Sequence, residues 1–572
     1  MSSISSITKA VSGLKVAQQG LQVTAHNISN TNTEGYTRQH LLQSDSGYLT
    51  VGKNGGLSMQ VGLGVSSDEI RQIRDQLADK RFRTESSVLN YYQKLNSTTN
   101  DITTVFDEPY GDTISDLLNT FWSQAQKLST DPDGVEERMS FISTAQVLAS
   151  KINVVTNSLS TLQTKLNSDL TTSVNRVNEI LQGIADYNLK ISMAESGTEN
   201  ANDYRDARNL LLDELSQYGD IEYYEQADHQ VCVSFEGWSV VDKQIVTKME
   251  LRQTEEGSPF KEPVWKDTKK PVFNLDKEVS SAKNEDTGII KAILIARGDN
   301  VVDSETTWND IAFNDNLSVD VEGNSYLIPK IQKMLNDFTS YLTGIVNDNF
   351  KGTGIGIHEG KQGVPVFVAT NVPGDVFDAA GKFKYNLQDV KDKIAKGDFD
   401  NVTAEELEAY NAYLIGGNVE VNPSLLADGG YNLLGTVSKA PDGSDDQTKQ
   451  QYAANVSDNT LVQKFLGEFN STKTWYDRAT APKSAPVEKS SKAMDFFSEL
   501  VTDIGTKGNL YTSKASEKTT SVTNITNERQ AMGGVSTDEE FTSMLKYQYA
   551  YNASSRMITM LDGMLDTIIN KM

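Results

Sequence analysis

Both ends of the chain carry apolar seams of the same period. From Ile4, residues Ile7, Val11, Leu14, Gln18, Leu21, Ala25 and Ile28 follow at alternating steps of three and four. The far end repeats the pattern through Met544, Tyr547, Tyr551, Ser554, Ile558, Leu561, Leu565, Ile568 and Met572. Such spacing belongs to helices that pack lengthwise on other helices. A lone helix of this kind is ordinarily explained by its own domain's core. Here the stripe is narrower than a globular helix face, and it recurs at both extremities, where chains more often fray. The spacing predicts a subunit of an assembly, with the two seams as its interfaces.

At 572 residues the chain exceeds one typical domain several-fold, so three or four domains are expected. A net charge of −25, scattered rather than blocked, argues against nucleic acid, whose phosphates require a basic face. A lone cysteine, Cys232, excludes an internal disulfide framework and a multi-cysteine zinc site. No stretch approaches the roughly 18 apolar residues of a membrane helix. Glycine, glutamine and serine interrupt every apolar run of the first 30 residues, so no secretory signal is expected there.

Residues 1–33 read as one helix of about 25 residues, roughly 40 Å long, ending where Asn27, Asn30 and Asn32 crowd before Gly35. Glycines among alternating apolars over 48–66 suit a hairpin. Helical periodicity is expected over 68–107, 112–130, 134–194 and 201–217, with Asp131-Pro132-Asp133-Gly134 as a turn. From about 220 the period falls to two, and Val231, Val233, Phe235, Val240, Val241, Ile245 and Val246 read as short strands. Helix is expected again from Ile331 to Phe350, near 403–415, and over 458–534 and 537–571. The fold class is α+β multidomain, with terminal helices in a coiled-coil-like inner domain, a long helical bundle, and inserted β-rich outer domains. The expected domains are 1–66 with 535–572; 67–219 with about 326–352 and 458–534; 220–325; and 353–457.

Recognisable catalytic chemistry is missing. Gly352-Thr-Gly354-Ile-Gly356 precedes His358 and Glu359, but a Walker loop needs Lys followed by Ser or Thr, and Gly360-Lys361 is followed by Gln362. His358-Glu359 lacks the second histidine of a zinc-protease helix. Asp131 and Asp133 resemble the start of a calcium loop, but Gly134 comes two positions early and no Glu closes it. Cys232 sits inside an apolar alternation and reads as a small buried hydrophobe. Catalytic, metal and cofactor sites are therefore all assigned as none.

Ser12-Gly-Leu-Lys-Val-Ala-Gln-Gln-Gly-Leu21, His26-Asn-Ile-Ser-Asn30 and Asn32-Thr-Glu-Gly-Tyr-Thr-Arg38 together resemble the N-terminal signature of flagellar axial proteins, shared by rod, hook and hook-associated subunits. Gly534-Val-Ser-Thr-Asp-Glu-Glu540, Tyr547-Gln-Tyr-Ala-Tyr551, Ala553-Ser-Ser-Arg556 and Leu561-Asp-Gly-Met-Leu-Asp566 resemble the hook-associated protein 1 family of the hook–filament junction. Phe121-Trp122 through Gln126, Leu128-Ser129, Pro132, Arg138, Gln146-Val-Leu-Ala149, and Gly62-Leu-Gly-Val65 with Arg74-Asp75 are similar to that family too. His26 departs from it, since relatives more often carry Asn there.

The resemblance implies a non-enzymatic adaptor without cofactors. Its terminal helices would pair into an inner tube, through Ile4, Ile7, Val11, Leu14, Leu21, Ala25 and Ile28 at one end and Met544, Tyr547, Tyr551, Ile558, Leu561, Leu565 and Ile568 at the other. The stretch holding Asn27, Asn30, Asn32, Gly35, Tyr36 and Arg38 would join neighbouring subunits, although a helix-terminating turn also explains it. Implied partners are other copies in a ring-like helical layer, hook protein, the second hook–filament junction protein, and a cytoplasmic export chaperone at the C-terminal helix. Neither nucleic acid nor membrane insertion is implied. The implied location is extracellular, in the flagellum, reached through type III export without a cleaved signal peptide. Alternatives are another axial subunit, either hook protein or the second junction protein, or a secreted appendage protein with an enzymatic insert. A lone helix of this length is marginal in water, so residues 1 to about 65 and 535–572 are expected to be largely unordered in the free subunit and to fold on assembly.

Overall fold

The computed structural model describes the chain except for residues 1, 55–56, 107–112, 198–199, 255–257, 278, 280–285, 309, 312–324, 351–353, 356–362, 378–382, 439–454, 478–486 and 572. Most of the Gly352–Lys361 loop considered above lies outside the described residues.

Helix α1 (Ser2–Ser29) leads into four strands, β1 (Gln39–Asp45), β2 (Tyr48–Asn54), β3 (Leu57–Gly62) and β4 (Val65–Gln72). They fold back as an antiparallel ribbon, β1 on β4 and β2 on β3. Leu41 pairs with Ile70, and with Val65 they cover Val16 and Val23 of α1. This packing overrides the helix expected from residue 68. Helix α2 (Gln76–Phe106) begins only where the Asp75 carboxylate accepts the Leu77 and Ala78 N–H groups.

The bundle continues with α3 (Ile114–Thr130), α4 (Val135–Ala194) and α5 (Asn202–Tyr218). Thr113 and Asp116 form a capping box on α3. The 60 residues of α4 would span about 90 Å. Phe141, Ala145, Leu148, Ile152, Val155, Leu159, Leu162 and Leu166 make its buried stripe, and Glu136 and Glu137 sit favourably at its positive end.

The first insert holds β5 (Ile221–Glu225), β6 (Val231–Phe235), β7 (Trp238–Asp242) and β8 (Ile245–Val246) in one antiparallel sheet, then β9 (Met249–Gln253) paired with β10 (Lys261–Trp265). It also contains a helix, α6 (Gly288–Arg297), whose run Ala292-Ile-Leu-Ile-Ala296 is buried all round against α2, α4, α5 and α7 (Leu327–Phe350). The second insert holds β11 (Gly354–Ile355), β12 (Phe367–Ala369), β13 (Asp375–Phe377), β14 (Phe383–Asn386), α8 (Leu387–Ala395), α9 (Ala404–Asn411), β15 (Val419–Val421), α10 (Pro423–Leu426) and β16 (Val437–Ser438). It has its own small core around Leu387, Val390, Ile394, Tyr410 and Leu414.

Asparagines fasten both inserts to the bundle. The Asn178 amide donates to the Met249 carbonyl and accepts its N–H, each at 2.9 Å. Asn188 does the same to Val231, and Asn347 to Phe367. A side-chain amide offers one donor and one acceptor side by side, so each of these stands in for a neighbouring strand.

The chain closes with α11 (Thr460–Phe469), a hairpin of β17 (Lys473–Asp477) and β18 (Val487–Ser491), α12 (Ala493–Gly533) and α13 (Thr537–Lys571). The hairpin interrupts the helix expected over 458–534. Lys473-Thr-Trp-Tyr-Asp477 has strand composition, and its Trp475 stacks on Phe496 at 3.9 Å over the bundle core. Helix α12 lies along α2, and α13 returns to α1.

Candidate assembly site

The terminal helices pair through small residues. On α1, Ala10, Gly13, Ala17, Gly20 and Thr24 recur at steps of three and four, and Ala10, Ala17, Gly20 and Thr24 are buried. A Cβ on Gly20 would lie 2.5 Å from the Tyr547 ring, and one on Gly13 would lie 3.0 Å from Ser554 Oγ. Val16 and Val23 turn instead to the ribbon. The N-terminal seam is thus displaced around the helix from the α1–α13 contact. Ile7, Leu14, Leu21 and Ile28 are half-buried along its margin, while Val11 and Ala25 face outward. Nothing is described of the Ile4 side chain.

The C-terminal seam does face α1. Met544, Tyr547, Ser554, Ile558, Leu561 and Leu565 are half-buried, as are Ser543 and Ser555, with Tyr551 at their edge; Ile568 lies in the helix beyond the described side chains. The opposite side of α13 is also apolar and stands open. Phe541, Leu545, Tyr549, Met557, Met560 and Met564 are between 52% and 72% exposed. The heptad reading missed this second stripe because it scored one face; the apolar content of the rest of the helix was the available signal.

A polar clamp fixes the register of the pair. Glu540 is 2% exposed and accepts from Arg38 Nε at 2.7 Å and Asn27 Nδ2 at 3.0 Å. Arg38 also reaches Glu539 at 2.9 Å, and its backbone N–H donates to the Gly533 carbonyl at 2.8 Å. A Cβ on Gly533 would come within 2.7 Å of the Ile73 carbonyl, so only glycine allows this approach. Asn27 Oδ1 accepts from the Tyr36 hydroxyl and the Gln39 N–H. These charges leave water only because every oxygen of Glu540 is matched.

Asn30 closes α1 by donating to the His26 carbonyl, Asn32 is exposed, and Gly35 adopts φ +77° beside Leu210. The polar residues of the signature are therefore spent largely within the chain. Sequence reasoning had no way to see Glu540, 502 positions from Arg38, as their partner.

The clamp continues into the bundle. The Thr37 N–H donates to Asp206 at 3.1 Å, and Arg74 pairs with Asp79 and lies 3.6 Å from Asp206. Burial pushes the Asp206 carboxyl up to about 6, although Thr37 and Arg74 pull against it. Tyr36 is likewise raised, by burial and then by Asp203, Asp206 and Glu540. Burial would raise Asp213 as well, yet Arg83 and Arg529 hold it below its ordinary value. Among the described residues no cluster of histidine, cysteine, aspartate or glutamate could hold a metal, and no helix is long and apolar enough to cross a membrane.

Two helices from opposite chain ends, packed side by side and clamped in register with an apolar face left open, suit a subunit of an assembly, and the class they resemble is that of flagellar axial proteins. Family models agree. Residues 7–37 match the flagella basal body rod protein, and 531–571 match the flagellar basal body rod FlgEFG protein C-terminal region. Residues 99–318 match the flagellar hook-associated protein FlgK helical domain. Flagellar hook-associated protein 1 of Bacillus subtilis is 25% identical, over 98% of this chain and 96% of the relative. That of Escherichia coli is 23% identical over 99% of each. The fold is that of the flagellar hook junction protein FlgK from Burkholderia pseudomallei, with a TM-score of 0.51, 12% identity, and coverage of 81% of this chain and all of that one. Over nearly its whole length the chain is similar to flagellar hook-associated protein 1.

Proposed function

We propose that the chain is a structural adaptor joining the flagellar hook to the filament, its terminal helices packing with those of other copies into a helical ring. One observation carries this reading: α13 is apolar on both faces, and α1 covers only one. An apolar stripe of this size standing open beside a packed one marks a surface built to be covered, and neighbouring copies would cover it. Each large apolar side chain buried there contributes roughly 1.5–3 kcal/mol, offset by the cost of ordering side chains and immobilising subunits. The outward residues of α1, Val11 and Ala25 with the margin at Ile7, Leu14, Leu21 and Ile28, continue the same interface. Residues 1–66 with 535–572 then make the inner domain, and the inserts project from a bundle around it.

Similarity to flagellar hook-associated protein 1 and to a flagellar hook junction protein supports a place at the hook junction. On this reading the partners are hook protein and the second junction protein. A cytoplasmic chaperone covers the open face of α13 before type III export, and the protein acts outside the cell. Deleting the gene and examining cells by electron microscopy tests the assignment. Hooks without filaments, with flagellin shed to the medium, are expected; intact filaments would refute it. Hook protein or second junction protein remains the alternative, and a strain lacking hooks altogether would favour the former.

A further inference from the structure

A cavity of about 590 Å³ lies where the ribbon meets the bundle, bordered by the end of β4, the first turns of α2 and α5, and strand β5. Five cations line it: Arg71, Arg74, Lys80, Arg205 and Arg208. Its acids, Asp79 and Glu225, are engaged, Asp79 by Arg74 and Arg529 and Glu225 by Arg205 at 2.8 Å. Arg205 is fully used by Glu195 and Glu225. Two cations are left over. Among the described residues Arg71 has no carboxylate partner, and Lys80 has only the Tyr223 ring, 5.7 Å away.

Arg208 adds a second, independent sign. It is 2% exposed; its Nη1 donates to Asn188 Oδ1 at 3.0 Å and to the His229 carbonyl at 2.8 Å, its nearest carboxylate is Glu225 at 3.6 Å, and its Nε–H is buried without an acceptor. Burial lowers its guanidinium to about 10. A buried N–H left without an acceptor is costly. In a chain with 78 acidic residues against 53 basic ones, unneutralised cations converging on one recess call for an explanation.

We propose that this cavity binds an oxyanion of the carboxylate or phosphate class, which bridges Arg71 on the ribbon to Lys80 and Arg208 on the bundle. Such a ligand would couple the inner pair of helices to the bundle, because β4 carries both the hydrophobic contact with α1 and one wall of the recess. The volume admits several carboxylate groups at once. The source is either a free anion or acidic side chains of another copy.

The test is titration calorimetry of inorganic phosphate and of citrate into the full chain at constant ionic strength. Phosphate stabilises proteins generically by exclusion from their surface, so the comparison must be with an Arg71→Gln/Lys80→Gln variant. Among the described residues neither has a carboxylate partner, and the variant should unfold at an unchanged temperature in chloride. Saturable binding by the wild type, weakened about tenfold or more in the variant, is expected. No saturable binding of either anion, or equal binding by the variant, overturns the proposal. Given that binding, filament growth by the variant in a deletion strain identifies a free anion as the ligand. Loss of filaments identifies carboxylates of another copy. The titration does not depend on the junction reading, so the two can fail separately.

Discussion

Arg38 and Glu540, 502 positions apart in sequence, meet at 2.7 Å in a largely desolvated ion pair that holds the two ends of the chain together. Helix α13 has one uncovered face, so this pairing should be weakly held in a lone subunit. Amides of α1 should exchange far faster than those of α4. Removing one partner of such a pair costs roughly 2 kcal/mol or more, so Arg38→Ala should abolish the remaining protection of α1 while the bundle's unfolding temperature stays put. Protection of α1 equal to α4, or insensitive to Arg38→Ala, would count against the clamp.

Gly20 and Tyr547 provide a steric test. Gly20→Ala places a methyl 2.5 Å from the Tyr547 ring in a packed seam, where overpacking typically costs about 1–3 kcal/mol. A cysteine introduced on each helix to report their pairing should cross-link less readily in Gly20→Ala. Combining it with Tyr547→Ala should restore the yield. Independent effects of the two changes would show that the ring does not set the spacing.

The two faces of α13 should separate by mutation. Met560→Asp and Leu545→Asp lie on the open side and should leave the soluble chain within about 0.5 kcal/mol of wild type while abolishing incorporation into flagella. Leu565→Asp, on the side facing α1, should disturb both the helix pair and incorporation. Motility equal to wild type in Met560→Asp cells would remove the open stripe from the interface.

Asp206 makes the joint between signature and bundle pH-dependent. Its carboxyl is raised from 3.8 to about 6, so the folded state holds this proton more tightly than the unfolded chain between those values. Stability from this group is therefore greatest below pH 4 and is lost as pH rises to about 6, at no more than about 1.4 kcal/mol per pH unit. Asp206→Asn keeps an acceptor for the Thr37 N–H and should flatten this fall. Urea denaturation at pH 4, 5, 6 and 7 measures the difference, and parallel curves would refute it.

Sustained periodicity made the long helices legible, and the turn at Asp131–Gly134 marked the start of α4. The C-terminal seam found the side of α13 that meets α1. The N-terminal seam did not find the matching side of α1, because that contact is made by glycine, alanine and threonine, which carry little apolar signal. The part of β4 from residue 68 and the β17–β18 hairpin carry a pattern that reads as helix; β4 is held by Val16 and Val23 of α1, and the hairpin by Phe496 of α12, contacts that local periodicity does not register. Helix α6 was hidden among strands because a fully buried helix shows no amphipathic alternation. The clamp could not be read at all: ion pairing across 502 residues leaves no trace in local pattern.

The asparagine fasteners on α4 and α7 bear on how such a molecule can diversify. Each grips only the main chain of the lobe it holds, and a peptide group is identical whatever residue carries it. The ornaments on the shaft can therefore be resculpted, side chain by side chain, without rewriting the sockets that hold them.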